Sequence, residues 1–214
     1  MEQIPEIIVF GIRVQEPTTA LTDWLITVFA FIFANRLIKT RKDLAKRYSL
    51  FFLFMGFSTL AGGFAHAFNY EYGRAFHRLP WLLSGLSIYF LMLASNRFFR
   101  ARGVRRVWEW IPHIFIAGYT FAIFNTLNFA AVGIGTAVGL LGYVLPLHLQ
   151  FDRPSAGKKE FFIALIILVS SGLIAALKLG FSAWFNHNDI GHILLILALY
   201  QLYKRAQIQA QEAP

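Results

Sequence analysis

Cysteine is absent from the 214 residues. Disulfides, thiolate metal sites and thiol nucleophiles are excluded with it. Charge is also scarce. Only 14% of the residues are Asp, Glu, Lys or Arg, against about 25% in a soluble domain. Acidic residues are the rarer kind, 11 against 20 basic. The first residues, MEQIPEIIVFGIRVQEP, carry acids where a secretory signal needs bases, so this segment is expected to be retained. What the chain does have is apolar bulk: 57% hydrophobic residues, 17% aromatic residues and 23 Phe. A net charge of +9 would suit nucleic acid if it lay in one patch. Here the bases form short clusters between apolar runs, the pattern that sets membrane topology and meets anionic headgroups. Membrane lipids are therefore the expected partner, and nucleic acid is not.

A membrane-crossing helix needs about 20 mostly apolar residues. Seven candidates follow: Leu21–Leu37, Leu50–Phe68, Leu79–Ser95, Val107–Asn125, Phe129–Leu149, Phe161–Trp184 and Asp189–Tyr203. Pro80 opens the third. Arg102-Gly103 lies in a loop, and Asp152-Arg153-Pro154-Ser155 interrupts the chain after the fifth. Pro112 and Pro146 fall inside runs, where a bilayer tolerates kinks. Glycines 133, 135, 139 and 142 give the fifth a small face suited to close packing. The fold class is thus all-α, a polytopic membrane protein with one domain. Its division is a short extracytoplasmic segment (1–20), a seven-helix transmembrane domain (21–205) and a cytoplasmic tail (206–214). Basic residues gather in every second gap: Arg36 to Arg47, Arg97 to Arg106, Arg153 to Lys159, and Lys204-Arg205. The opposite gaps hold only Arg13, Arg74 and Arg78. This asymmetry predicts the N-terminus outside and the C-terminus in the cytoplasm. Compact loops and the absent signal suit a bacterial cytoplasmic membrane.

With that orientation the polar residues can be sorted by depth. Asp23, His66, His77, Lys178, His187, Asp189 and His192 fall in one band near the outer surface, although they come from separate runs. Ionisable groups within a bilayer cost about 2.5–3.5 kcal/mol each on insertion scales. A convergent set therefore implies pairing, metal ligation or a proton path. Each also has a plain structural reading: snorkelling for Lys178, a solvated loop for His77, and a helix-start dipole for Asp23. Trp24, Trp81 and Trp184 are expected as interfacial belt residues. His66 follows Gly62-Gly63, which lets a neighbour approach closely, and His192 is surrounded by Ile190, Ile193 and Leu194. Outside the band, Glu109 and His113 stand one turn apart as an expected structural pair.

Zinc is commonly held by His and carboxylate, with three protein ligands when catalytic. Asp189 and His192 sit about 60° apart around one helix, and His187 and His192 about 140°. The metal set read from these residues is His66, His192 and either Asp189 or His187. Seven runs, a His near the outer end of the second and a polar His-bearing start to the seventh resemble the CREST superfamily, which includes the alkaline ceramidases and the PAQR proteins. An uncharacterised bacterial branch is the nearer likeness, through Phe-Asn-His-Asn-Asp-Ile-Gly-His at 185–192. The resemblance implies a zinc site in which His66 matches the helix-two ligand and His192 the second His of the helix-seven pair. Asn188 stands at the first His of that pair, Gly62 at the expected Ser, and no Asp lies in the third run.

Three functions follow as expectations. The first is a zinc-dependent hydrolase of a lipid amide or ester, in which Lys178 or Ser58 polarises the carbonyl and Asp23 supports the site. The second is a proton-coupled transporter or sensor in which the same His and Asp titrate. The third is a non-catalytic membrane protein whose polar band joins helices.

Overall fold

The computed structural model describes residues 4–96, 106–151 and 157–212. Arg97 to Arg105 and the break at Asp152 to Ser155 lie outside the described residues. The chain begins with a hairpin, β1 (Glu6–Val9) and β2 (Ile12–Gln15), antiparallel in the register Glu6↔Gln15 to Val9↔Ile12. Seven long helices follow among the described residues. They are α1 (Pro17–Ile38), α2 (Asp43–Ala67), α3 (Arg78–Ser95), α4 (Trp110–Thr126), α5 (129–151), α6 (Lys158–Leu177) and α7 (His187–Glu212). Six of the helices are long and apolar enough to cross a bilayer, which makes the chain a helical membrane protein.

Local chemistry explains where these helices start and stop. Pro17 sits in the first turn of α1, where its missing N–H costs nothing. This places the start four residues before Leu21. α2 begins at Asp43 rather than Leu50, since Lys46 and Arg47 continue the helix beyond its apolar stretch. α4 turns into α5 across two residues. Leu127 takes a left-handed conformation (φ 47°), and Asn128 caps α5 by accepting from the Ala130 N–H at 2.9 Å. α5 is α-helical over Phe129–Ala137, π-helical over Val138–Val144 and α-helical again over Leu145–Phe151. The wide π turn comes just before Pro146, whose ring would otherwise press on the carbonyl one turn back. α6 ends at Leu177 rather than Trp184. Lys178 caps it in a left-handed conformation (φ 52°), and residues 178–186 form a non-helical link. α7 continues to Glu212, and Ala206, Gln209 and Ala210 are buried, so the last segment is packed against the bundle.

α1, α2 and α7 form the centre of the bundle. α3 packs on α2, α4 and α5 pack on α3, and α6 packs chiefly on α7. Small residues let α1 and α2 approach: Phe31 fills the space above Gly56, and Asp23 and Trp24 lie over Gly62 and Gly63. Hydroxyls tie the same pair. Thr27 Oγ1 meets Thr59 Oγ1 at 2.9 Å, and Ser49 Oγ donates to the Ala34 carbonyl at 2.9 Å. At the end of the bundle away from the hairpin, Tyr48 donates to Gln209 Oε1 at 2.8 Å, and the buried Arg205 donates to the Gly157 carbonyl at 2.8 Å.

Candidate functional site

The hairpin, the C-terminal end of α2 and the N-terminal ends of α1, α3 and α7 meet at one end of the bundle. The α1 residue Asp23 is buried, with one carboxylate oxygen 2.8 Å from where a Cβ on Gly62 would stand. Its Oδ1 lies 3.4 Å from His192 Nε2 on α7. Thr22, one residue earlier, places its hydroxyl 2.8 Å from His192 Nδ1 and 3.4 Å from Asp189 Oδ1. Asp189 is fully buried. Its other oxygen accepts from the Asn186 backbone N–H at 2.7 Å, while Asn186 Oδ1 accepts from the Asn188 N–H at 2.8 Å. These reciprocal bonds form the start of α7 and hold its first turn against α1.

A second pair adjoins the first. His66 Nδ1 lies 2.8 Å from Glu16 Oε2, and its ring meets His77 edge-on at a centroid distance of 5.2 Å. Glu16 is the residue between β2 and α1. It has a left-handed backbone (φ 42°, ψ 51°), uncommon for a side chain of this size. Its backbone N–H donates to the Pro5 carbonyl at 2.8 Å, closing the hairpin. Its carboxylate reaches α2 instead of capping α1. Burial alone would raise its pKa. The hydrogen bond from His66, with the charges of His66, His77 and His187, outweighs that and holds it below the ordinary carboxylate value.

Asp23, His66, His77, His187, Asp189 and His192 thus meet at one end, as their depth in the sequence implied. Lys178 does not join them. It is exposed at the end of α6. Ser58 is buried two turns from His66 and donates to the Pro80 carbonyl at 2.8 Å, a tie between α2 and α3. His187 opens α7 and contributes charge near Glu16. Asp189 is occupied by Thr22 and the Asn186 N–H. His113 bonds the Glu109 backbone carbonyl at 2.6 Å, not its carboxylate, and its Nε2 meets the Tyr89 hydroxyl at 3.2 Å. Trp24 packs across α2 onto Phe64 at 5.3 Å. Glu16 and Thr22 were not singled out from sequence, whereas Asn186 was expected as a helix-capping residue and caps α7 through the Asn188 N–H. The Glu16-Pro17 step at the edge of an apolar run is the one local sign of Glu16, and only the hairpin brings it to His66.

The tautomer of His192 decides what this arrangement can do. If Nδ1–H donates to Thr22, the Thr22 hydroxyl can donate onward to Asp189, and Nε2 turns a lone pair toward Asp23. If Thr22 donates to Nδ1 instead, Nε2–H points at Asp23. The 3.4 Å separation is long for a hydrogen bond. It is close to the edge of a tetrahedron with Zn–N and Zn–O bonds of about 2.0–2.1 Å, an edge of roughly 3.4 Å. His66 shows a related pattern, with Nδ1 held by a carboxylate and Nε2 left over. An imidazole whose other nitrogen bonds a carboxylate is the usual outer support of a metal ligand. Among the described residues no three His, Asp or Glu already close around one point. The donors suit a metal in type, and one pair, His192 and Asp23, stands at ligand spacing.

These features define a helical membrane protein with a buried acid–imidazole cluster at one end of its bundle. Residues 18–211 match a family of unknown function, DUF6962, and the chain belongs to that family. No curated protein matches it.

Proposed function

We propose that this chain is a seven-span protein of the bacterial cytoplasmic membrane, with its N-terminus outside, and a zinc-dependent hydrolase of a lipid ester or amide related to the CREST superfamily. α7 is the seventh span, and the basic clusters at 36–47, 97–106 and 153–159 give the orientation. The site then lies just under the outer surface, within reach of a lipid's carbonyl groups.

The observation that carries this reading is His192 Nε2 at 3.4 Å from Asp23 Oδ1, with Thr22 fixing the opposite ring nitrogen. His192, Asp23 and His66 would hold the zinc, which supplies a Lewis acid and a water of lowered pKa. The remaining roles belong to the protein. Glu16 keeps the His66 ring oriented and its Nδ1 proton in place. Thr22 and Asp189 do the same for His192. The burial of Asp23 and Asp189 excludes bulk water. Elemental analysis of detergent-purified protein tests the reading. About one zinc per chain is expected, lost in His192→Ala and Asp23→Asn and kept in Ser58→Ala. Protein with no metal at any stage of purification would overturn it.

A second reading has its own support: the Glu16–His66 contact at 2.8 Å followed by His77 is a series of titratable groups running toward the surface. Proton-coupled transport would then replace hydrolysis. It predicts metal-free protein whose uptake or conductance depends on pH and disappears in His66→Ala.

A further inference from the structure

The hairpin has two unlike faces. The register puts Glu6, Ile8, Arg13 and Gln15 on one side and Ile7, Val9, Ile12 and Val14 on the other. The first side meets the protein through Arg13, while Glu6 and Ile8 on it are exposed, Ile8 at 76%. Arg13 lies 4.4 Å above the Tyr70 ring and 3.6 Å from Glu6. The second side is wholly apolar and has Ile7, Val9 and Ile12 exposed. At the turn, Phe10 is 100% exposed. Phe10 and Gly11 both have positive φ, 50° and 79°, as a two-residue hairpin turn of the primed type requires. Asn or Gly is favoured at that first position. Phe there is strained, and no contact among the described residues offsets it. An isolated hairpin is also marginally stable in water.

We propose that this hairpin is an interfacial anchor, with the Phe10 tip and the Ile7, Val9, Ile12 face seated in the headgroup–acyl boundary of the adjoining leaflet. The occupant is the bilayer that holds the helices, because β2 joins α1 with only Glu16 between them. The hairpin is therefore tethered at the level where the first membrane helix leaves the apolar layer. Tyr70 and Tyr72 are exposed beside it, as expected of an aromatic belt. Arg13, Arg74 and Arg78 offer positive charge to lipid phosphate at the same end. Burying Phe10 there takes a fully exposed ring out of water, which offsets the turn strain.

The absence of cysteine makes the test direct. Single Phe10→Cys, Val28→Cys and Glu71→Cys chains carry a nitroxide in phosphatidylcholine–phosphatidylglycerol nanodiscs. Collision with oxygen is compared with collision with a water-soluble nickel chelate. Val28 is the lipid reference, exposed on α1, and Glu71 the aqueous one. The expected oxygen-to-chelate ratio at position 10 is several-fold above that at position 71 and nearer that at position 28. A ratio equal to that at 71 overturns the proposal. So does protection from both reagents, which would mean that another copy of the chain covers the tip. Zinc content, measured on the same Phe10→Cys sample, is expected to be unchanged, and it separates failure of the anchor from failure of the hydrolase reading.

Discussion

At Gly62 and Gly63 two adjacent glycines do different work. A Cβ on Gly62 would stand 2.8 Å from Asp23 Oδ2, the free end of a side chain. A Cβ on Gly63 would overlap the Trp24 indole and come 2.9 Å from the Ala20 backbone carbonyl, which cannot move aside. Gly63→Ala is therefore expected to destabilise the protein by about 1–3 kcal/mol, seen as a lower Tm in detergent. Gly62→Ala should leave Tm nearly unchanged while displacing Asp23 and reducing zinc content. Equal effects in the two variants would contradict this assignment. Glu16 gives a second prediction at this scale. Its folded-state pKa is depressed, so its contribution to stability is present above the ordinary carboxylate pKa and lost as pH falls through the lower, folded value. In thermal melts, wild type should exceed Glu16→Gln near neutral pH, and the gap should close on acidification through that value. A gap independent of pH would show that the Glu16 charge is not what holds the hairpin to α2.

The helices were legible as apolar runs because period and length survive without knowledge of the partner. Their ends were less so. Lys46 and Arg47 lie beyond the apolar part of α2 yet inside the helix, and Ala206 to Gln209 do the same for α7. A hydropathy window cannot follow a helix past its apolar stretch. Close packing between elements also has local consequences. Tyr119 on α4 is buried between Gly85 of α3 and Gly135 of α5, and its hydroxyl donates to the Trp81 carbonyl at 2.8 Å. Gly135→Val would drive two methyl groups into that ring. A loss of about 1–3 kcal/mol is expected, with α4 and α5 amides exchanging faster than those of α1 and α2 in hydrogen-exchange mass spectrometry. Uniform acceleration across the bundle would mean that α3, α4 and α5 do not behave as a separable group.

For the molecule as a whole, the proposed orientation puts the hairpin and the acid–imidazole cluster outside and the buried Arg205–Gly157 contact inside. A green fluorescent protein fused after Pro214 should fluoresce in a bacterial host, and alkaline phosphatase at the same position should be inactive. The reverse result would invert the topology. Composition and the spacing of apolar runs determined by themselves that this chain is a helical membrane protein, since burying 57% apolar residues with so few charges leaves little other choice. They also placed His66 and His192 at a common depth, because depth follows from distance along a helix. Only the tertiary structure decided which atoms meet at that depth. Azimuth around each helix axis depends on neighbouring side chains, and so Thr22 and Asp23 face His192, Asp189 turns to the Asn186 N–H, and Lys178 faces away. The hairpin carried least local signal of all. Its strands are short, and the contact that fixes Glu16 on His66 joins residues fifty positions apart.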